Sequence, residues 1–454
     1  MNPLRITYAA AAYALASVAL PPFWLYTKLS RRHRRSLNQR LGFVPPAVKA
    51  LLGQGPRVWI HAVSLGEIQV AFSVSRALEE LVPGCSILIS TTTEHGFDLA
   101  RKTFDRDIPV IYAPVDLPFS ARRALTRIRP HVLVFVETEI WPAWIEEGNA
   151  QGVRIALVNG RISRRSFETY SKFKFFFRHV LSGVHAFSMI ATEDARRILA
   201  MGAEENRIEV NGNAKYDFLL ERVDQESEPA MRSELNLPED TPVLVAGSTR
   251  TGEEVLILEA YERIRKAFPG TVLIIAPRHI ERARTIANLV SSRGIECRLR
   301  SELKAKGERR RSPVLILDTF GELFRVYSVA TIVYCGASLV PLGGQNPLEP
   351  AAWGKPVLYG PSMEDFLDAK TILEQGGADG TVTGPGMLAD KVLHLLKSPS
   401  EREAWGERAR QALAATRRAA DRHATVVAGL LSQAGPPSRD DSCKPEETSI
   451  HVGK

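Results

Sequence analysis

The chain has 454 residues, about three times the common ~150-residue domain, so two domains of ordinary size with terminal extras are expected. With 44% hydrophobic and 24% charged residues it is neither collagen-like, nor wholly disordered, nor a polytopic membrane protein. Cys85, Cys297, Cys335 and Cys443 lie far apart with no Cys-x-x-Cys, which signals neither a zinc site nor a disulfide framework. The formal net charge of +8 is unevenly placed. Residues 1–66 carry Arg5, Lys28, Arg31, Arg32, Arg34, Arg35, Arg40, Lys49 and Arg57 and no acidic side chain, so the body is close to neutral. A nucleic-acid binder spreads its basic residues over the folded domain. Here they flank one apolar stretch, which points to anionic lipid and away from nucleic acid.

That stretch, Ile6 to Thr27, is uncharged and as one helix reaches about 33 Å, enough for a ~30 Å hydrocarbon core. Pro21-Pro22 interrupts it. A helix ending at Leu20 reaches only about 22 Å and leaves Phe23, Trp24 and Tyr26 as an interfacial aromatic belt, so spanning and half-inserted readings both stay open. The basic cluster follows the apolar run, unlike that of a cleaved signal peptide, and by the positive-inside rule it keeps the body in the cytoplasm. Residues 1–30 are therefore read as an N-terminal membrane anchor.

Beyond the anchor, short apolar runs alternate with amphipathic segments, the pattern of parallel sheets covered by helices. Strands are predicted at Val58–Ala62, Ser86–Ser90, Val110–Tyr112, Val132–Val136, Ile155–Val158, Phe187–Ala191 and Ile208–Val210, then at Val243–Ala246, Val272–Ala276, Val314–Asp318, Thr331–Cys335 and Pro356–Tyr359. The charged segment 221–240, with Pro229 and Pro238, reads as a linker. The expected fold class is α/β: two Rossmann-like domains, 31–220 and 241–433, facing a cleft, with 434–454 as a disordered tail.

In open α/β sheets ligands bind beyond the carboxyl ends of the strands, so the following loops are where chemistry is sought. The first loop leads into Ser64-x-x-Glu67. Glu67 either completes a capping box or serves as a general base at a cleft mouth. The fourth strand runs into Glu137 and Glu139, and Asn211-Gly-Asn-Ala-Lys215 forms a turn able to aim Lys215 into the cleft. Asp105-Arg-Asp107 imitates a metal-binding pair but lacks neighbouring ligands, so no metal is expected. Ser248-Thr-Arg250 meets a helix start, a geometry suited to phosphate, although Thr251-x-x-Glu254 can cap that helix regardless. Arg278 follows Pro277 at a strand end, and Gly321-Glu322-Leu323 forms another turn. Gly343-Gly344 allows close backbone approach before a helix with Asn346 as cap and Pro347 at its first position. Leu348 and Glu349 follow, Glu349 as a cap or as an acceptor from a ribose.

Taken together, from about Arg31 to about Arg422, the chain resembles the 3-deoxy-D-manno-oct-2-ulosonic acid (Kdo) transferases of lipopolysaccharide and lipid A assembly. The motifs are Trp59-Ile-His-Ala-Val-Ser-Leu-Gly-Glu67, Glu137-Thr-Glu-Ile-Trp-Pro142, Asn159-Gly-Arg-Ile-Ser163, Gly212-Asn-Ala-Lys215, Pro277-Arg-His279 and Asn346-Pro-Leu-Glu-Pro350. The resemblance implies a GT-B glycosyltransferase with no metal or other cofactor, CMP-Kdo as donor, a lipid A precursor as acceptor, and a seat on the cytoplasmic face of the inner membrane. It implies Glu67 as proton acceptor and Glu137 and Lys215 as transition-state stabilisers. The implied CMP contacts are Pro277, Arg278, Gly321, Glu322, Leu323, Asn346, Pro347, Leu348 and Glu349, with Ser248 and the amides after Gly344 beside the phosphate. Two departures stand out: Gln345 replaces a usual His, and Glu94-His95 replaces a usual Pro-Thr. Other readings are a nucleotide-sugar epimerase, a lipid-linked hexosamine transferase, or a catalytically silent, membrane-tethered sugar-binding protein. An epimerase does not need the anchor, and a silent protein does not need Glu67.

Overall fold

The computed structural model describes residues 36–238, 240–303 and 312–434. The expected anchor at 1–30 and, apart from Ala434, the expected tail at 434–454 lie outside them. Among the described residues no helix is long and apolar enough to cross a membrane, and Cys85, Cys297 and Cys335 are free thiols. The chain divides into two units, one formed by residues up to Ala214 together with those from Arg418 onward, the other by Lys215–Arg417.

The first unit is built on a seven-stranded sheet with strands β1 (Arg57–His61), β2 (Ser86–Thr91), β3 (Val110–Tyr112), β4 (Val132–Val136), β5 (Arg154–Gly160), β6 (Ala186–Met189) and β7 (Ile208–Val210). They lie in the order β3-β2-β1-β4-β5-β6-β7, every pairing parallel. Successive side chains of a strand face opposite ways, and both faces here are apolar because helices cover both. Trp59, Leu133 and Phe135 enter one core, while Val58, Ile60, Val132 and Val134 enter the other. The strand order turns around between β1 and β4, so the crevice beyond their carboxyl ends is the switch point of this sheet.

The second unit repeats the plan with β8 (Val243–Thr249), β9 (Val272–Pro277), β10 (Cys297–Leu299), β11 (Val314–Ile316), β12 (Ile332–Cys335) and β13 (Val357–Tyr359). Their order is β10-β11-β9-β8-β12-β13, again all parallel, with the switch point between β8 and β12. Leu244 and Ala246 face one core, Val243 and Val245 the other.

Two expected boundaries differ. The segment 221–240 is no bare linker: it holds the helix Ser227–Glu234, whose Met231 is buried with Leu235 and Leu237 against Val243, Val245 and Val272. Four-residue spacing of Met231 and Leu235 puts both on one helical face, and that apolar stripe outweighs the charge around it. The helix Ala419–Gln433, assigned from sequence to the second domain, belongs to the first unit. Its Ala419, Ala420, Ala424, Val427 and Leu430 share a core with Ile68, Ala71, Val74 and Leu78 of the helix Leu65–Leu81. Conversely, Tyr216 and Leu219 are buried in the second unit, where the Tyr216 hydroxyl donates to Asp368 at 2.8 Å.

Candidate active site

Glu67 is the third residue of the helix Leu65–Leu81. The Ser64 hydroxyl caps this helix, accepting from the Glu67 amide at 3.3 Å. The reciprocal half of a capping box does not close on Ser64. Instead Glu67 Oε2 accepts from the Val63 amide at 2.8 Å, one residue before the cap. The side chain is 7% exposed. Burial raises its pKa above the ordinary carboxylate value, the bonds from Val63 and Ser64 lower it, and the charges of Glu137 and Glu139 raise it further. A carboxylate biased this way is a stronger base than an exposed one.

The structure therefore brings Glu67 and Glu137 into one electrostatic neighbourhood at the β1/β4 switch point. Glu137 directly follows β4 with φ +62°, a left-handed conformation uncommon outside glycine, and its amide donates to the Val158 carbonyl at 3.0 Å. The Glu139 pKa is also raised by burial, lowered by a hydrogen bond from Trp141 Nε1 and raised further by the charge of Glu137. Beneath them His61 closes β1. It is fully buried, 2.9 Å from Ser90 Oγ through Nδ1, with Trp141 and Trp144 packed at 4.8 and 5.2 Å between ring centroids. Burial pushes its pKa down to about 3, so it stands there as a neutral ring. Sequence reasoning did not single out His61, although its place at the end of an apolar strand was the available signal.

Lys215 is half-buried in the short 3-10 turn Ala214–Tyr216 and opens the second unit. The preceding loop is fixed within the first unit. The Ala214 amide donates to Asn159 Oδ1 at 2.8 Å. His423 of the C-terminal helix lies 2.6 Å from Ser188 Oγ and 3.0 Å from the Gly212 carbonyl, and Arg422 donates to the Asn211 carbonyl at 2.8 Å.

The other expected residues gather at the carboxyl ends of the second sheet. Ser248, with φ +56°, lies in β8 beside β9, which ends at Pro277, and the Arg278 amide donates to the Thr249 carbonyl at 3.0 Å. Arg278 itself is exposed. Gly321 has φ +87°, which suits glycine, and precedes Glu322 and Leu323. Glu322 is engaged by Arg300 at 3.1 Å and by the Thr319 hydroxyl, so its carboxylate is committed within the unit.

After β12 the helix begins one residue later than expected: Pro347 is the cap and Leu348–Ala352 the helix. Asn346 Oδ1 accepts from the Leu348 amide at 3.1 Å and its side chain also bonds Glu349. Burial raises the Glu349 pKa while Arg222, Asn346 and Arg278 lower it. Glu349 is thus faced by cations and is no helix cap. Arg222, placed over the Phe324 ring at 4.0 Å, was missed because it lies in the supposed linker. The phosphate-binding helix end expected after Ser248-Thr-Arg250 is also revised. Gly252 is the cap, Glu254 accepts from Thr249 Oγ1 and pairs with Arg282 at 2.8 Å, and the Arg250 amide donates to Glu253 at 2.9 Å.

The family model described as 3-deoxy-D-manno-octulosonic-acid transferase (kdotransferase) matches residues 35–218. A bifunctional glycosyltransferase/methyltransferase of Fusobacterium nucleatum subsp. nucleatum is 36% identical over 328 residues, 70% of this chain and 49% of that protein, so the chain spans about half of its length. A solved glycosyltransferase from Rickettsia africae ESF-5 superposes with a TM-score of 0.62 at 14% identity, covering 84% of this chain and 100% of that one, a likeness of fold. A 3-deoxy-D-manno-octulosonic acid transferase of Bordetella pertussis is 32% identical over 430 residues, 90% of this chain and 97% of that protein. Matched along nearly the whole of that relative, the chain belongs to the 3-deoxy-D-manno-octulosonic acid transferase family.

Proposed function

We propose that the chain is a GT-B glycosyltransferase that moves Kdo from CMP-Kdo to a lipid A precursor. The observation that carries this reading is Glu67: a buried carboxylate, held through Oε2 by the Val63 amide and raised in pKa by burial and two neighbouring carboxylates, at the switch point of a parallel sheet. In the reaction the acceptor hydroxyl attacks the anomeric carbon of Kdo while Glu67 takes its proton. The bond between that carbon and the CMP phosphate oxygen breaks, and negative charge grows on the leaving phosphate. Arg278 and Lys215 stabilise that charge, and Glu137 stabilises positive charge on the sugar. Ser248, Pro277, Gly321–Leu323, Gly344 and Asn346–Glu349 hold the nucleotide. No metal or other cofactor takes part. The basic, apolar N-terminus at 1–30 anchors the protein to anionic lipids of the inner membrane, with the catalytic body on the cytoplasmic side.

The test is incubation with CMP-Kdo and a lipid A precursor, with and without EDTA, and weighing of the lipid product. Whole Kdo additions that survive chelation are expected. Epimerised nucleotide sugar, or a lipid of unchanged mass, overturns the reading, and loss on chelation restored by Mg²⁺ overturns its metal independence.

A further inference from the structure

We propose that Glu253 is an internal anion that holds the loop 336–344 in the shape required by the donor site, a positioning residue acting through Gly344. The proposal rests on the reading of Gly344 and Asn346–Glu349 as donor-binding residues. Glu253 opens the helix Glu253–Ala267 and is fully buried. Its carboxylate accepts from neutral donors on every side. Oε2 takes the Arg250 amide at 2.9 Å and the Ala337 amide at 2.6 Å. Oε1 takes the Ser338 amide at 2.9 Å, the Leu339 amide at 3.1 Å and the Tyr334 hydroxyl at 2.6 Å.

Consecutive amides converging from a left-handed turn make an anion cradle, and Ala337 has φ +59°. Burying a charge costs heavily unless hydrogen bonds compensate, so such a set of donors marks a site built for negative charge. It lies at the β8/β12 switch point, where a doubly wound sheet ordinarily receives a ligand phosphate. Here the chain's own carboxylate occupies it.

What Glu253 fixes is transmitted onward by the backbone. The Ala337 carbonyl accepts from the Gly344 amide at 2.9 Å, and the Ser338 carbonyl from the Ser362 amide at 3.1 Å. Ser338 Oγ accepts from the Gly360 amide at 2.8 Å. The Ser362 hydroxyl in turn accepts from the Gly343 amide at 3.0 Å. The positions of Gly343 and Gly344, and of Asn346 just beyond, thus depend on two residues that Glu253 holds directly.

Glu253→Gln keeps the size but turns an NH2 group toward amides that only donate. CMP affinity is expected to fall at least about 10-fold, the factor carried by one charge-assisted hydrogen bond. Glu253→Ala empties the cradle, and sodium formate supplied in excess, with sodium chloride at equal ionic strength as control, refills it. Formate is expected to raise both the melting temperature and the CMP affinity of Glu253→Ala while leaving the wild type unmoved. Wild-type CMP affinity in both variants, or a weakened Ala variant indifferent to formate, overturns the proposal. Should neither variant fold, Tyr334→Phe removes one donor only and is expected to weaken CMP binding about 2- to 10-fold; unchanged affinity there counts against it. A wild-type chain that binds no CMP overturns the donor reading instead, and the formate-dependent melting of Glu253→Ala still decides the cradle.

Discussion

A carboxylate that must accept a proton near neutral pH needs little water and some negative company, and Glu67 has both. On the pattern alone Ser64-x-x-Glu67 leans toward the capping reading, although it satisfies the catalytic one as well. In the structure the turn 62–64 offers the Val63 amide to Oε2 and leaves Ser64 to do the capping. No local pattern reveals that choice. The attraction of Arg222 for Glu349 was equally hidden, since it depends on residues far apart in the chain. Because Glu139 raises the pKa of Glu67 by repulsion, Glu139→Gln is expected to lower it. The base is active when deprotonated, so the acid limb of kcat/KM then moves to lower pH, by about one unit or less for one partly screened charge. A pH profile of that variant with an unmoved or raised limb contradicts this electrostatic account.

The elements show why strands were easier to read than their surroundings. Val110–Tyr112 and Val132–Val136 fall where the apolar runs placed them, because a strand buried on both faces is written as a continuous run, and Ile208–Val210 also falls where it was placed although Glu209 and Val210 are exposed at the sheet edge. β10, with only Cys297-Arg-Leu299 at the sheet edge, carries no such run. Residues 419–433 went with the second domain by chain order, and the partner of the helix Ala419–Gln433 was not legible: amphipathicity says that a face is buried, without naming against what. His423 is the polar centre of that docking and, with its pKa pushed down to about 4 by burial, stays neutral there. His423→Ala strands the Gly212 carbonyl and leaves Ser188 with Asn211 alone, at about 1–3 kcal/mol for an unsatisfied buried group. The melting temperature of the first unit is expected to fall by roughly 5 °C, at about 2–4 °C per kcal/mol for a domain of this size. CMP affinity, assigned to the second unit, is expected to hold. Calorimetry showing an unchanged transition, or a matched loss of CMP binding, contradicts the assignment of this helix.

For the whole molecule, two parallel sheets were legible from the alternation of apolar runs and amphipathic segments, while the crossing of the last helix into the first unit was not. The Val115 amide and the Ser120 hydroxyl both donate to the Arg40 carbonyl, at 2.8 Å each, and Gln39 accepts from the Tyr112 amide at 2.7 Å, so residues 37–40 are part of the fold. Deleting residues 1–35 is expected to leave a folded body that binds CMP and uses detergent-dispersed acceptor but no longer sediments with anionic vesicles; continued sedimentation contradicts the anchor. The central claim is that Glu67 takes the acceptor's proton, and the direct measurement is turnover of Glu67→Gln on CMP-Kdo and a lipid A precursor. Gln still accepts from the Val63 amide, so stability is expected to change by no more than about 1 kcal/mol and CMP affinity to hold. Turnover is expected to fall at least about 100-fold, the scale of general-base loss. Near-normal turnover by a folded, CMP-binding Glu67→Gln contradicts the account.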